Sequence, residues 1–122
     1  MGATPNPNPK RRRTFTSGIP PAEAEQQIRQ LRALGEYTRY RIIALLLANE
    51  GLMTVYDLAD ELSAEQSSIS QHLRVLRSAR LVYGRKVKQS VYYSVRHKAL
   101  RQVAEGILAL IPAREQSEQK SA

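Results

Sequence analysis

The stretch Ser67-Ser68-Ile69-Ser70-Gln71-His72-Leu73-Arg74-Val75-Leu76-Arg77 joins short hydroxyls, an amide and guanidinium groups at helical spacing. Ile69, Leu73 and Leu76 fall at i, i+4 and i+7 and share one inward face. Ser67, Gln71, Arg74 and Ser78 occupy the opposite face, with Ser68 and Ser70 beside them near the helix start. Hydroxyl side chains let a helix approach a duplex closely, and Gln and Arg reach base edges and phosphates. That chemistry is nucleic-acid recognition, and a basic strand segment, Leu81-Val82-Tyr83-Gly84-Arg85-Lys86, follows at once.

Charge supports the same reading. The chain has 122 residues, 42% of them hydrophobic, and a formal charge of +8 from 19 Lys+Arg against 11 Asp+Glu. No acidic residue occurs between Gln66 and Arg101, a window that carries Arg74, Arg77, Arg80, Arg85, Lys86, Lys88, Arg96, Lys98 and Arg101. Most acids lie from Glu23 to Glu65, where they suit a face turned away from a polyanion. Such a distribution favours phosphate neutralisation, and a merely solvated basic surface is the plainer alternative. With no cysteine, disulfides, thiolate metal sites and thiol redox sensing are excluded. The chain has two histidines in unlike contexts, no Gly-rich phosphate loop and no carboxylate cluster in its basic half, so no catalytic constellation is expected. The longest apolar run, Ile42 to Ala48, is too short to cross a bilayer, and nothing resembles a signal peptide. An intracellular protein with no membrane partner is expected.

The elements that must position these residues can be traced along the chain. Residues 1–19, with Lys10-Arg11-Arg12-Arg13 among Pro, Asn, Thr and Gly, read as a disordered basic arm. It could lie along phosphates, enter a minor groove or only solubilise. One domain spans 20–112. Pro20-Pro21 opens a first helix to Leu34 with Ala24, Ile28, Leu31 and Leu34 along a stripe. Thr38 is the expected cap of a second helix, Arg39 to about Asn49, whose apolar run predicts burial on nearly all sides. Thr54 caps a short third helix with Val55, Leu58, Ala59 and Leu62 inward. Ser63-Ala64-Glu65-Gln66 matches a capping box that would start the fourth helix, ending near Ala79. Two helices so closely joined spell a helix-turn-helix. Leu81–Lys86 and Ser90–Val95 read as strands of a wing turning at Val87-Lys88-Gln89. From about Lys98 a last helix carries Leu100, Val103, Ile107 and Leu110 on one stripe, Pro112 ends it, and 113–122 is a flexible tail.

The element order and these residues resemble the ArsR/SmtB family of winged-helix repressors. The carriers are Thr38-Arg39, Val55-Tyr56-Asp57-Leu58-Ala59, the Ser67 to Arg77 segment, Leu81-Val82, Arg85-Lys86 and Val91-Tyr92-Tyr93, over about Leu31 to Val95. The resemblance implies a mainly α fold with a small β-hairpin, in the order α-α-α-α-β-β-α. It also implies a homodimer paired through its first and last helices, on an inverted-repeat DNA operator in the cytoplasm, at the nucleoid. The candidate DNA-binding residues are Ser67, Ser68, Ser70, Gln71, His72, Arg74, Arg77, Arg85, Lys86 and Lys88. The wing cations are expected mostly to meet phosphates, or to enter the minor groove where it is narrow, and His72, common at this place in the family, suits a structural or phosphate role. The candidate dimer residues are Ile28, Leu31, Leu100, Val103, Ile107 and Leu110.

Several departures bear on sensing. The family's third-helix Cys-x-Cys metal pair falls on Thr54 and Tyr56, and its last-helix ligand set falls on His97, Ala99, Leu110 and Ala113. No metal site and no cofactor are therefore expected, although His97 and Glu105 could join a site shared with a partner subunit. Two glycines frequent in the family, near the wing tip and just before the first wing strand, are Lys88 and Arg80 here. The expected function is sequence-specific transcriptional regulation, as a repressor, without the family's usual metal or thiol sensor. An architectural, nonspecific DNA-binding or protein-interaction winged helix is the alternative.

Overall fold

The computed structural model describes residues 21–112, so the arm at 1–19, Pro20 and the tail at 113–122 lie outside the described residues. Five helices and one hairpin follow in the order α1 (Pro21–Leu34), α2 (Tyr37–Ala48), α3 (Val55–Leu62), α4 (Gln66–Ser78), β1 (Val82–Val87), β2 (Ser90–Val95) and α5 (His97–Leu108). The core is apolar side chains from α2, α3, α4 and the hairpin, with Ile42, Leu46, Leu58, Ile69, Leu76, Leu81 and Val82 fully buried. The antiparallel hairpin is tied to the α2–α3 loop by Tyr93 N–H donating to Met53 O at 2.9 Å, which fixes the wing against the helices.

Helix starts and stops follow local chemistry, not always at the expected residue. Thr54 and Asp57 form a reciprocal capping box at the start of α3, with Asp57 Oδ2 accepting from Thr54 N–H at 2.9 Å. The α2 cap is Glu36 rather than Thr38. Its backbone is extended and its carboxylate accepts from Arg39 N–H at 2.9 Å, so Thr38 enters the first turn. Ser63 does not start α4. It ends α3 in the left-handed region (φ 50°, ψ 48°), donating its N–H toward Ala59 O and Asp60 O, and Glu65 becomes the α4 cap without a side-chain bond. Sequence spacing alone cannot tell the end of one helix from the start of the next when three residues separate them.

Two helices face differently from the expectation. Only Ile42, Ile43 and Leu46 of α2 are buried, while Tyr37, Tyr40, Ala44 and Leu47 are exposed, because the core contacts one side of it. On α1 the buried residues are Gln30 and Ala33. Gln30 Nε2 donates to Ala79 O at 3.1 Å, satisfying both buried groups and locking α1 to the end of α4. The apolar stripe is therefore only partly covered: Leu34 packs against the core, Ala24 and Leu31 are half-buried and Ile28 is 42% exposed.

Candidate nucleic-acid interface

Helix α4 buries Ile69, Leu73 and Leu76 against the core and leaves Ser67, Ser68, Ser70, Gln71, Arg74, Arg77 and Ser78 exposed. A Schellman turn fixes its C-terminus: Arg80 N–H donates to Arg77 O at 2.9 Å and Leu81 N–H to Leu76 O at 3.0 Å. Arg80, at φ 61°, holds the left-handed position that glycine usually fills, and the fully buried Leu76 and Leu81 flank the turn. The chain thereby leaves the helix straight into β1, setting the angle between helix and wing.

On the exposed face Arg74 Nη1 donates to Gln71 Oε1 at 2.6 Å, so the two side chains are held together. His72 is placed elsewhere. Its ring is mostly buried toward α2, with Nδ1 3.2 Å from Arg39 Nη1 and 3.8 Å from Glu36 Oε1. Arg39 also donates through Nε to Ala33 O at 2.7 Å. These contacts set the His72 ring between α4 and the α1–α2 turn, apart from the exposed side chains of α4. The helical angle one step before Leu73 is the reason, since it points along the core boundary.

The hairpin turns through Lys88-Gln89, and Val87 remains paired with Ser90, one residue further than expected. Lys88 has φ 57°, so both positions where the family's frequent glycines would fall keep a left-handed backbone without glycine. The register pairs Arg85 with Tyr92 and Lys86 with Val91, and strand alternation sends Arg85 and Lys86 to opposite faces of the wing. Both are exposed, as is Lys88 at the tip. Lys86 belongs to a concavity of about 840 Å³ whose cations also include Arg77, Arg80, Arg96 and Lys98. The Arg96 guanidinium lies 5.2 Å from the Tyr83 ring centroid, a cation–π contact that steadies it. Arg80, Arg96 and Lys98 were legible only as members of the acid-free window; no motif marks them as a group.

The apolar surface splits between inside and outside. Val103 is 3% exposed and therefore filled within the protomer, and half-buried Leu100 packs against the protomer's own core. Ile28, Ile107 (41%) and Leu110 (50%) remain exposed, with Leu110 beyond the end of α5. The family's metal positions do not fit a metal ion. Thr54 is engaged in its capping box, Tyr56 is exposed, and neither supplies a thiolate. Ala99 and Leu110 offer no donor, Ala113 lies outside the described residues, and His97 Nε2 pairs with Glu50 Oε1 in place of Glu105. No three His, Cys, Asp or Glu side chains gather as a metal-binding group among the described residues.

A helix-turn-helix of α3 and α4 followed by a hairpin with a basic tip defines a winged-helix protein. The family described as bacterial regulatory protein, arsR family, matches residues 37–83. A transcriptional repressor SmtB homolog from Synechocystis sp. is 38% identical over 73 residues, which are 60% of this chain and 54% of that protein. The transcriptional repressor SdpR from Bacillus subtilis is 30% identical over 80 residues, 66% of this chain and 87% of that protein. The solved structure of HlyU from Vibrio cholerae superposes with a TM-score of 0.62 at 31% identity, covering 75% of this chain and 97% of that one. This chain belongs to the ArsR family. It spans 54% to 58% of the length of the first curated relatives it matches.

Proposed function

We propose that this protein is a transcriptional repressor that binds an inverted-repeat DNA operator as a homodimer, at the nucleoid. The observation that carries this is the exposure of the polar and basic side chains of α4, from Ser67 to Arg77, and of Arg85, Lys86 and Lys88 on the wing, with no acid between Gln66 and Arg101. Ser67, Ser68, Ser70, Gln71 and Arg74 supply the base-reading and close-approach contacts. Arg77, Arg85, Lys86 and Lys88 neutralise phosphates. A bidentate Gln or Arg contact to a base discriminates by about 1–3 kcal/mol. Dimerisation through α1 and α5 would cover Ile28, Leu31, Ile107 and Leu110, and would set two α4 helices one DNA turn apart. Control by a metal or a thiol is not part of this function.

Selection of sites from a random duplex library by the full-length protein at physiological salt tests the proposal. It should return an inverted repeat with half-sites about one helical turn apart. The cations Arg80, Arg96 and Lys98, set outside the α4 recognition face, favour a second reading as a nonspecific, architectural DNA-binding protein. Under that reading no consensus emerges, and the specific-to-nonspecific ratio falls below roughly 10³ at a steep salt dependence.

A further inference from the structure

A pocket of about 360 Å³ lies between α1 and α4 and differs in kind from the basic concavity beside the wing. Its floor is carbon, from buried Ala33 and Ala79 and from Val75, which is 37% exposed on an otherwise polar stretch of α4. Four arginines also line it, Arg29 and Arg32 of α1, Arg39 of α2 and Arg74 of α4, each able to bring a guanidinium to its edge. Among the described residues no acidic side chain lines it. Among the described residues both ion pairs involve histidine, His72 with Glu36 and His97 with Glu50, so none of these arginines is neutralised by a carboxylate side chain. Glu36, the acid near Arg39, spends its carboxylate on Arg39 N–H and faces His72.

The arrangement selects for an amphipathic anion. A phosphate chain would satisfy the rim and leave the carbon floor uncovered, whereas an apolar molecule would leave the guanidiniums unused. The volume falls at the small end of the range for small-molecule sites. One guanidinium is already immobilised, since Arg39 donates to Ala33 O and meets His72, so it loses little further freedom on binding. Another, Arg74, is shared with the exposed surface of α4 through Gln71.

We propose that this pocket binds a small aromatic carboxylate, its ring on Ala33, Val75 and Ala79 and its carboxylate on the arginine rim, and that binding draws Arg74 away from DNA. The second half rests on α4 being the DNA-reading helix. Ligand and operator then oppose each other, and by linkage each weakens the other by the same factor.

Two measurements on the full-length chain decide the matter. The first titrates the free protein with 2-naphthoate and follows backbone amide signals by NMR. Saturable shifts at Ala33, Val75 and Ala79 are expected, with acetate and the uncharged 2-naphthylmethanol weaker by roughly tenfold or more. The Arg29→Gln/Arg32→Gln variant should weaken naphthoate by a similar factor while keeping the remaining spectrum. Equal binding of the alcohol, shifts confined to other surfaces, or unchanged affinity in the variant overturns the site. The second measures affinity for the selected duplex with and without naphthoate, expecting a loss in the wild type that disappears in the double variant. Naphthoate bound in the pocket with DNA affinity unchanged refutes the coupling alone. A chain that binds no duplex even without naphthoate refutes the DNA-reading role of α4, and the coupling with it, while the NMR result stands separately.

Discussion

Replacing Lys88 separates backbone strain from charge at the tip of the wing. Lys88 sits at φ 57°, a left-handed conformation that costs an L residue about 1–2 kcal/mol. Glycine adopts it freely but loses more chain entropy on folding, about 0.5–1 kcal/mol. Lys88→Gly should therefore be more stable by up to about 1.5 kcal/mol, the largest difference between these two ranges. For a domain of this size each kcal/mol gained raises Tm by about 4–8 °C. Lys88→Ala keeps a Cβ in the same conformation and should gain nothing. Both variants remove one exposed cation from each wing tip, so each should lower the slope of log K against log salt by about 0.9 per tip, about 1.8 for a dimer, if the tip meets a phosphate. Thermal melts by circular dichroism at one fixed protein concentration, with anisotropy titrations of the selected duplex at several salt concentrations, give both quantities. If Lys88→Ala and Lys88→Gly melted alike, the strain argument would fail. An unchanged salt slope in both would remove the wing tip from the phosphates.

The remaining predictions probe the recognition face, the dimer surface and the core. Gln71→Ala and Arg74→Ala should be non-additive in specific DNA affinity, with a coupling of about 0.5–3 kcal/mol, because the two side chains share a hydrogen bond; a double-mutant cycle returning zero would show that they act separately. Ile107→Glu should dissociate a dimer in sedimentation without unfolding the protomer, since Ile107 is exposed there. A dimer that persists would move the interface elsewhere. Leu76→Ala, at a fully buried position that also supports the Schellman turn, should cost about 2–5 kcal/mol in denaturant unfolding. A loss below about 1 kcal/mol would mean that the end of α4 repacks without it.

How much of this was legible depended on whether the governing physics was local. The Ile69, Leu73 and Leu76 spacing predicts the inward face of α4, and the structure buries all three. Thr54 with Asp57 announces the start of α3 because both partners of that capping box lie within four residues. The hairpin strands were readable from their Val and Tyr content, although the turn was one residue tighter than expected. By contrast, the Ser63 capping pattern misled, since the same serine can end one helix in the left-handed region or begin another. The apolar run of α2 overstated its burial, because hydrophobicity says a residue can be buried, not that another element will cover it.

The sequence by itself determined the family, the element order, the inward side of α4 and the concentration of positive charge in the second half of the chain. Each follows from residue type and short-range periodicity, which act within a few residues. Tertiary structure alone decided that Gln30 is buried and bonded to Ala79 O, that Ile28 of the α1 stripe is left exposed, and that His72 turns toward Arg39 and Glu36. It alone decided that four arginines from three helices meet around one pocket. The Gln30 and Arg39 hydrogen bonds join residues 49 and 33 positions apart in the chain, and only the packing of whole helices sets such distances.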